Sequence, residues 1–383
     1  MAASSPFNKH LQLIDAEINV KQEDREKYTK IFDFVMQTIV AEMEKLDSVF
    51  KSLHCGQELF GSYSNGVRLL SPSEFDVFVV LKFPFEVDVK PDEYRPGFVH
   101  LNVHGNMQKL FNRGDSTFCS TLAKLADHNT KQLRNTNFQG WMFDLIERAA
   151  KSCHGFIYHK GFNIKYQKHA VAYNVYIEDL NDRDVRISLD IVPAINVGSQ
   201  NWMRLRNNSV AKKSHFEHFM AIAKTAANYP PSTFENTFML VNPAAERDVL
   251  WDKPNLKPTL RLLKSLRDKL DLKRFKSFFV TQIFLWEVEA QPLDFWRQPI
   301  GAIFVHMLQR LYDCFIEGNL PYFWNEGCNL LDILKPYEIE VYSYKLKQAY
   351  RTLKSYPEQP NLSYEQVASF LDSYEDSDSE DDY

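Results

Sequence analysis

Residues 61–81 read GSYSNGVRLLSPSEFDVFVVL, a glycine-serine turn followed by an apolar run that carries two acids. The apolar run is rich in β-branched and aromatic residues, which predicts a buried strand. Side chains alternate between the two faces of a strand, so Glu74 and Asp76 point the same way. Two carboxylates among apolar residues repel each other and are costly to desolvate. A divalent metal is the usual compensation, and hard oxygen ligands suit Mg²⁺ or Mn²⁺.

A third acid, Asp190, lies in a later strand pattern, within the sequence Leu189-Asp190-Ile191. Two acids from one strand and one from its neighbour can hold two divalent ions about 4 Å apart, which activate a hydroxyl to attack a phosphate. The Gly61-Ser62 turn fits this chemistry, because glycine permits close backbone approach and N–H groups with a hydroxyl bind triphosphate oxygens. Each pattern alone is common, but their conjunction predicts nucleotidyl transfer, with Ser62 as a phosphate ligand.

Length and composition agree with a globular enzyme. The chain has 383 residues, enough for two packed lobes. No apolar run approaches the roughly 20 residues of a membrane span, and the N-terminus lacks the pattern of a secretory signal. The five cysteines are scattered and form no C-x-x-C pair, so we expect reduced thiols, a cytoplasmic protein and no structural zinc.

The overall charge is dominated by the C-terminal residues. The formal net charge is −5, yet residues 372–383 alone hold seven acids and no base, so removing them leaves +2 for the rest of the chain. Such a run is typical of a disordered, solvated tail. The rest of the chain can therefore carry a local basic face despite the negative net charge.

The hydrophobic periodicity predicts an α+β protein of two lobes. Residues 23–53 have the pattern of one long helix, which we expect to brace the back of the site. Residues 138–150 also have a helical pattern. Residues 162–192 form short alternating runs, typical of an antiparallel meander, which we expect Pro193 to end. Helices are predicted from residue 214 onward, at 214–228, 256–271, 275–290, 299–317, 329–335, 339–355 and 363–373. We therefore predict a mixed-sheet lobe at 1–213, a helical lobe at 214–371, a cleft between them and an acidic tail at 372–383.

These motifs resemble those of the cyclic GMP-AMP synthase family of nucleotidyltransferases, and most of all its insect cyclic GMP-AMP synthase-like receptors. The resemblance is carried by Gly-Ser-Tyr at 61–63, by Ser-Glu-Phe-Asp-Val at 73–77 and by Leu-Asp-Ile-Val at 189–192. It covers nearly the whole chain, from the first long helix to about residue 356. It implies a bilobed fold whose catalytic and metal-binding residues are Glu74, Asp76 and Asp190.

The resemblance also places nucleotide contacts in the helical lobe. Residues 260–266 resemble the family helix with a phosphate-binding lysine, here Lys264. Residues 274–281 resemble the segment whose serine binds phosphate and whose next aromatic stacks on a base. Those roles fall on Ser277 and Phe278, with Thr281 as a further candidate. Residues 238–246 resemble the segment that leads to a nucleotide-contacting glutamate, here Glu246. For Lys264 the alternative is a solvated basic helix face, and for Phe278 it is plain core.

Two departures from the family pattern bear on specificity. The vertebrate synthase grips DNA with a zinc-bound loop of His and Cys, but residues 232–259 contain neither. Double-stranded RNA is therefore the better expected activator. The family's tryptophan and arginine are here Phe238 and Met239, so guanine recognition at that place does not follow from the resemblance.

The resemblance implies a ligand-gated enzyme that binds long nucleic acid along a basic face and then reshapes its Gly-Ser loop. Lysine and arginine contact phosphate without reading sequence, and duplex RNA is read largely by shape. The alternative for each such residue is a scattered solubility charge. The candidate contacts are Lys21, Arg25, Lys27, Lys30, Lys212, Lys213, Lys253, Lys257, Lys273 and Arg274.

The implied reaction joins ATP and GTP in two steps into a cyclic dinucleotide, which a STING-type receptor would bind in innate immunity. Two alternatives remain open from the sequence. One is a related enzyme that makes linear 2′–5′ oligoadenylates or acts as a template-independent polymerase. The other is an inactive nucleotidyltransferase fold that serves as a scaffold, which the intact acidic triad disfavours.

Overall fold

In the part of the chain that the structure, a computed structural model, describes, a nine-stranded mixed sheet is combined with a helical lobe. The structure describes residues 5–103, 116–127, 129–169, 171–199, 218–224 and 236–371. This architecture confirms the predicted α+β fold. Within the described residues, no helix is long and apolar enough to cross a membrane.

The first part of the chain supplies helices α1 to α6 and strands β1 to β7. The helices are α1 (Pro6–Ile18), α2 (Gln22–Leu46), α3 (Ser48–Leu53), α4 (Gly61–Ser64), α5 (Ser116–Leu125) and α6 (Asn135–His159). The strands are β1 (His54–Phe60), β2 (Glu74–Leu81), β3 (Asp88–Pro91), β4 (Phe98–Asn102), β5 (Phe162–His169), β6 (Ala172–Asp179) and β7 (Arg186–Gly198).

The second part begins with two more strands of the same sheet and is then mainly helical. It comprises β8 (Phe219–Ile222), β9 (Thr237–Val241), α7 (Pro243–Leu250), α8 (Leu256–Lys269), α9 (Ser277–Ala290), α10 (Ile300–Glu317), the hairpin β10 (Pro321–Tyr322) and β11 (Asn325–Asn329), α11 (Pro336–Leu353) and α12 (Tyr364–Leu371). Short 3₁₀ turns lie at Leu293–Arg297, Leu330–Ile333 and Tyr356–Glu358.

The sheet runs in the order β1-β2-β7-β8-β9-β4-β3, with β5 and β6 attached to β7. The β5-β6-β7 segment is the predicted antiparallel meander. Strands β2 and β7 pair in parallel, with Asp76 directly opposite Asp190. This single pairing joins segments that lie more than a hundred residues apart in sequence, and it decides the geometry of the acidic site.

Strand β7 extends further than predicted, because it continues through Pro193 to Gly198. Pro193 lies between Ile191, the last residue paired with β6, and Ala194, the first paired with β8. A proline lacks a donor for the ladder, but here it stands where β7 changes partner on that edge. The expectation that Pro193 ends the strand was therefore wrong.

The predicted helix at 23–53 is in fact two helices. Helix α2 ends at Leu46, and Asp47 adopts an extended backbone conformation. The Asp47 carboxylate accepts hydrogen bonds of 2.9 Å from the backbone N–H groups of Val49 and Phe50, so it caps a new helix, α3. Its other oxygen accepts a 3.0 Å hydrogen bond from the Trp141 indole of α6, which fixes the break in place.

Two further predictions fail in the second part of the chain. The helix predicted at 214–228 is wrong at Phe219–Ile222, which form a sheet strand, and residues 214–217 and 225–228 lie outside the described residues. The helix predicted at 329–335 is a 3₁₀ turn that follows a hairpin. Strands β8 and β9 extend the sheet of the first lobe to Val241, past the lobe boundary predicted at residue 213. Helix α1 packs on α8, α10 and α12 of the helical lobe.

Candidate active site

Three acidic side chains meet on one face of the sheet. Glu74 and Asp76 lie on β2 and Asp190 on β7, and one ligand atom from each lies within 4.8 Å of the other two. Asp76 is almost fully buried, with 1% of its surface exposed. Three carboxylate oxygens at this separation fit the hard-oxygen coordination of Mg²⁺ or Mn²⁺. The structure thus brings together the acids that the sequence places in one metal-binding set.

Two polar neighbours hold these acids. The buried Arg68 guanidinium forms an ion pair with Glu74. The Asn174 side chain of β6 donates a 2.8 Å hydrogen bond to Oδ1 of Asp190, which it faces in the register. Arg68 supplies a counter-charge that sequence reasoning missed, although it lies only six residues from Glu74. Asn174 was detectable only once the β6–β7 register was known.

The Gly-Ser turn touches the acidic site directly. Gly61 has φ +70°, and a Cβ placed on it would lie 2.1 Å from Oδ2 of Asp76. Real Cβ atoms essentially never approach another atom so closely, so only glycine fits here without moving the carboxylate. Ser62 follows in the short helix α4 and is partly exposed.

Helix α2 braces this loop from behind, as predicted. The Tyr63 hydroxyl donates to the backbone carbonyl of Arg25 at 3.2 Å and also bonds the Thr29 hydroxyl. The Arg25 guanidinium in turn donates to the Tyr63 carbonyl at 3.3 Å and lies 4.7 Å from the centroid of its ring. Phe32 stacks on Phe75 of β2, with ring centroids 4.7 Å apart. Arg25, a candidate for nucleic-acid contact, is therefore turned toward the loop.

Cationic side chains of the helical lobe hold the loop from the other side. Arg247 of α7 donates to the Leu59 carbonyl at 2.6 Å and to the Ser64 hydroxyl at 3.0 Å. Arg261 of α8 donates to the Gly66 carbonyl at 3.0 Å, and its guanidinium also forms an ion pair with Asp15 of α1. Sequence reasoning missed both arginines, because their partners lie 183 to 246 residues away.

Of the predicted phosphate ligands in the helical lobe, Lys264 contacts this loop and Ser277 is buried. Lys264 is 1% exposed, and its ammonium group donates to the Val67 carbonyl at 3.3 Å. Ser277 is the first residue of α9 and is buried, as is Thr281 one turn later. Phe278 is half-buried and packs 6.2 Å from the ring of Tyr322.

Glu246 is a buried acid on α7 and belongs to an aromatic cluster. Its Oε1 accepts a 2.7 Å hydrogen bond from the Trp324 indole. Burial raises the pKa of Glu246 to about 7, against smaller opposing effects of that hydrogen bond and of Arg247. The carboxyl group therefore changes charge near neutral pH.

The candidate nucleic-acid contacts differ in environment. Lys212 and Lys213 lie outside the described residues. Lys253 donates to the Trp251 carbonyl, and Lys257 lies 5.0 Å from the centroid of the Trp251 ring. Burial lowers the pKa of Lys257, with Arg261 and Arg25 adding repulsion.

The remaining candidates lie on the surface of each lobe. Lys273 has 78% of its side chain exposed. Arg274 forms a 2.6 Å ion pair with Glu338. In α2 and just before it, Lys21 and Lys30 are exposed, and Lys27 pairs with Asp182 at 2.7 Å.

Comparison with known families assigns both parts of the chain. Residues 63–251 match the Mab-21 protein nucleotidyltransferase domain, and residues 255–348 match the Mab-21 protein HhH/H2TH-like domain. A cyclic GMP-AMP synthase-like receptor of Ctenocephalides felis is 27% identical over 90% of this chain and 83% of its own length. Cyclic GMP-AMP synthase-like receptor 1 of Drosophila erecta is 26% identical over 80% and 69%. A receptor of Drosophila eugracilis with the same family name is 26% identical over 91% and 90%. The chain belongs to the Mab-21 nucleotidyltransferase family, among its cyclic GMP-AMP synthase-like receptors.

Proposed function

We propose that this protein is a nucleic-acid-activated nucleotidyltransferase that converts ATP and GTP into a cyclic GMP-AMP. The observation that carries the proposal is the convergence of the Glu74, Asp76 and Asp190 carboxylates within 4.8 Å. The name of the relatives, cyclic GMP-AMP synthase-like receptor, supports it. On this proposal the enzyme acts in the cytoplasm, responds to double-stranded RNA and delivers its product to a STING-type receptor.

In this proposal Glu74, Asp76 and Asp190 hold two Mg²⁺ or Mn²⁺ ions. Bound metal would polarise the α-phosphate of a nucleoside triphosphate and lower the pKa of the attacking hydroxyl. The chain's own residues position the carboxylates that would hold the metal. The hydrogen bond from Asn174 holds the Asp190 carboxylate, whose proposed second role is to help activate the attacking hydroxyl. Gly61 leaves the space that Asp76 needs.

Phosphate binding is assigned to Ser62, Lys264 and Ser277. Lys264 is 1% exposed and donates to the Val67 carbonyl, so a phosphate can reach its ammonium group only if the residues around it move. The loop is also held by arginines, because Arg25 and Arg261 donate to its carbonyls and Arg247 donates to the Ser64 hydroxyl. These contacts support a gating step in which activation releases the loop and frees Lys264.

Nucleoside contacts are assigned to Phe278, Thr281 and Glu246. Phe278 presents a half-buried ring for stacking on a base. Glu246 is neutral or charged near pH 7, so it can donate or accept a hydrogen bond. Phe238 and Met239 are buried in strand β9, and Met239 has no donor for guanine.

The direct test is product analysis. The purified chain is incubated with α-labelled ATP, GTP, and Mg²⁺ or Mn²⁺, together with duplex RNA, duplex DNA or neither, and the products are separated by chromatography. We expect one phosphatase-resistant cyclic species in the RNA arm. Asp190→Asn should abolish it, whereas Asp184→Asn, which changes an acid of the β6–β7 turn, should not.

Other outcomes identify the alternatives. A ladder of linear oligomers would indicate an oligoadenylate synthase or a template-independent polymerase. Absence of metal-dependent incorporation with every polyanion, in a protein that melts cooperatively, would support the scaffold.

A further inference from the structure

A basic face covers the outer side of the helical lobe. It is formed by residues 267–274, which include the end of α8 and the segment after it, and by residues 335–354, which contain α11. These two segments hold nine basic and four acidic side chains. The exposed bases are Lys269, Lys273, Arg274, Lys335, Lys347, Arg351 and Lys354, with Lys345 partly exposed.

The two segments form one continuous surface. Lys345 of α11 donates a 2.7 Å hydrogen bond to the Leu270 carbonyl. Arg274 forms a 2.6 Å ion pair with Glu338, and its backbone N–H donates to the Tyr342 hydroxyl. Three of the four acids pair with bases of the same segments, namely Glu338 with Arg274, Asp268 with the buried Arg267, and Asp271 with Lys273, and the two segments still hold five more bases than acids. The outward field of the face is therefore positive.

An apolar stripe lies beside these bases. Tyr337, Val341 and Tyr344 follow one another at helical spacing on α11, with 60%, 47% and 64% of their surface exposed. Large aromatic side chains this exposed are typical of surfaces that bind a partner. The face thus offers positive charge together with aromatic contact area.

The last described residue contacts the helix that leads into this face. The carbonyl of Leu371, the last described residue, accepts a hydrogen bond from the Ser265 hydroxyl in α8. Lys269 lies one helical turn further along α8, about 6 Å of axial rise. The twelve residues that follow Leu371 can extend to about 40 Å, whereas α11 is about 27 Å long. A segment of this length, extended from Leu371, is therefore longer than α11.

We propose that residues 372–383 bind the basic face of their own molecule and compete there with other polyanions. The segment carries seven acids and no base, which matches the charge excess of the face. It also contains Tyr374, which is suited to the exposed aromatic stripe. Tethering places the acids at millimolar effective concentration, so weak contacts are sufficient for occupancy. The docking itself does not depend on the proposed catalytic function, and only its consequence for RNA does.

Photo-cross-linking in the full chain tests this docking. Tyr374 is replaced by p-benzoylphenylalanine, the protein is irradiated at low concentration, and the cross-linked peptides are identified by mass spectrometry. We expect cross-links in 267–274 and 335–354 at about 50 mM salt, falling at least threefold at 500 mM because exposed charges are screened. The triple change Lys273→Glu, Lys347→Glu and Arg351→Glu should lower them equally.

A matched control changes two exposed lysines of the other lobe, Lys82→Glu and Lys124→Glu, and should leave the cross-links unchanged. Cross-links that map elsewhere, that persist in the triple variant, or that join two molecules in proportion to concentration would overturn the proposal.

A second measurement uses duplex RNA as the probe. Replacing the seven tail acids by their amides should tighten RNA binding at least fivefold at low salt. If the cross-links map as expected but RNA affinity is unchanged, docking stands and the proposed RNA site is refuted.

Discussion

The close approach of Gly61 to Asp76 leads to the sharpest prediction about the site. In Gly61→Ala the new methyl group would lie 2.1 Å from Oδ2 of Asp76, well inside the 3.0 Å limit of real Cβ contacts. The carboxylate must therefore move by about 1 Å. Displacement of a metal ligand by this amount should weaken Mn²⁺ binding about 10- to 100-fold and slow turnover by about 100-fold.

Gly66→Ala is the matched control, because Gly66 lies in the same loop and has the same φ of +70°. Both substitutions carry a backbone cost of about 1–2 kcal/mol. At Gly66, however, the nearest atom to the new Cβ is the Lys257 ammonium at 3.6 Å, an ordinary contact.

The assay is Mn²⁺ titration followed by electron paramagnetic resonance, with the free energy of unfolding measured in parallel. We expect similar losses of stability in the two variants and a loss of Mn²⁺ affinity only in Gly61→Ala. Equal Mn²⁺ affinity in both variants would refute the inference that Gly61 is required by the position of Asp76.

Three further predictions address charge at the site and on the surface. Arg68→Gln leaves the mostly buried Glu74 without this partner and should lower metal-free stability by about 3–5 kcal/mol, with partial recovery on adding Mn²⁺ in thermal melts. Glu246→Gln should flatten the pH profile of stability. The pKa of Glu246 is raised to about 7 in the folded protein, so ionising this acid costs folding free energy as pH rises from about 4.5 to 7. Between pH 4.5 and 8 the free energy of unfolding of wild type should therefore fall by about 3 kcal/mol more than that of the variant, as measured by urea unfolding. Lys273→Glu should weaken duplex RNA binding and lower its salt slope by about 1, while Arg274 stays paired with Glu338. An unchanged RNA titration would remove Lys273 from the binding surface.

Local patterns predicted the parts of the fold in which neighbours in sequence determine structure. The alternation around Asp76 and Asp190 identified two strands and the face on which each acid lies. That these strands are neighbours was inferred from the conjunction of the three acids with the Gly-Ser turn, because periodicity does not contain it. Their parallel pairing is a long-range contact, and no single segment encodes it.

The failures have a common physical origin in tertiary contacts. Asp47 looks like an ordinary exposed helix residue, and only its contact with Trp141 and its role as a cap show why the helix breaks there. Residues 219–222 have no strand partner nearby in sequence, but β7 and β9 pair with them on either side. Arg247 and Arg261 could not be recognised as site residues for the same reason, since the Ser64 hydroxyl and the Gly66 carbonyl that they bind lie far away in the chain.

Anomalous scattering tests the metal site most directly. A crystal soaked in Mn²⁺ with a non-hydrolysable ATP analogue should show two anomalous peaks among the carboxylates of Glu74, Asp76 and Asp190, and a crystal of Asp190→Asn should show fewer or none. Two full peaks in the variant, or Mn²⁺ bound only away from these three carboxylates in the wild type, would contradict a two-metal nucleotidyltransferase.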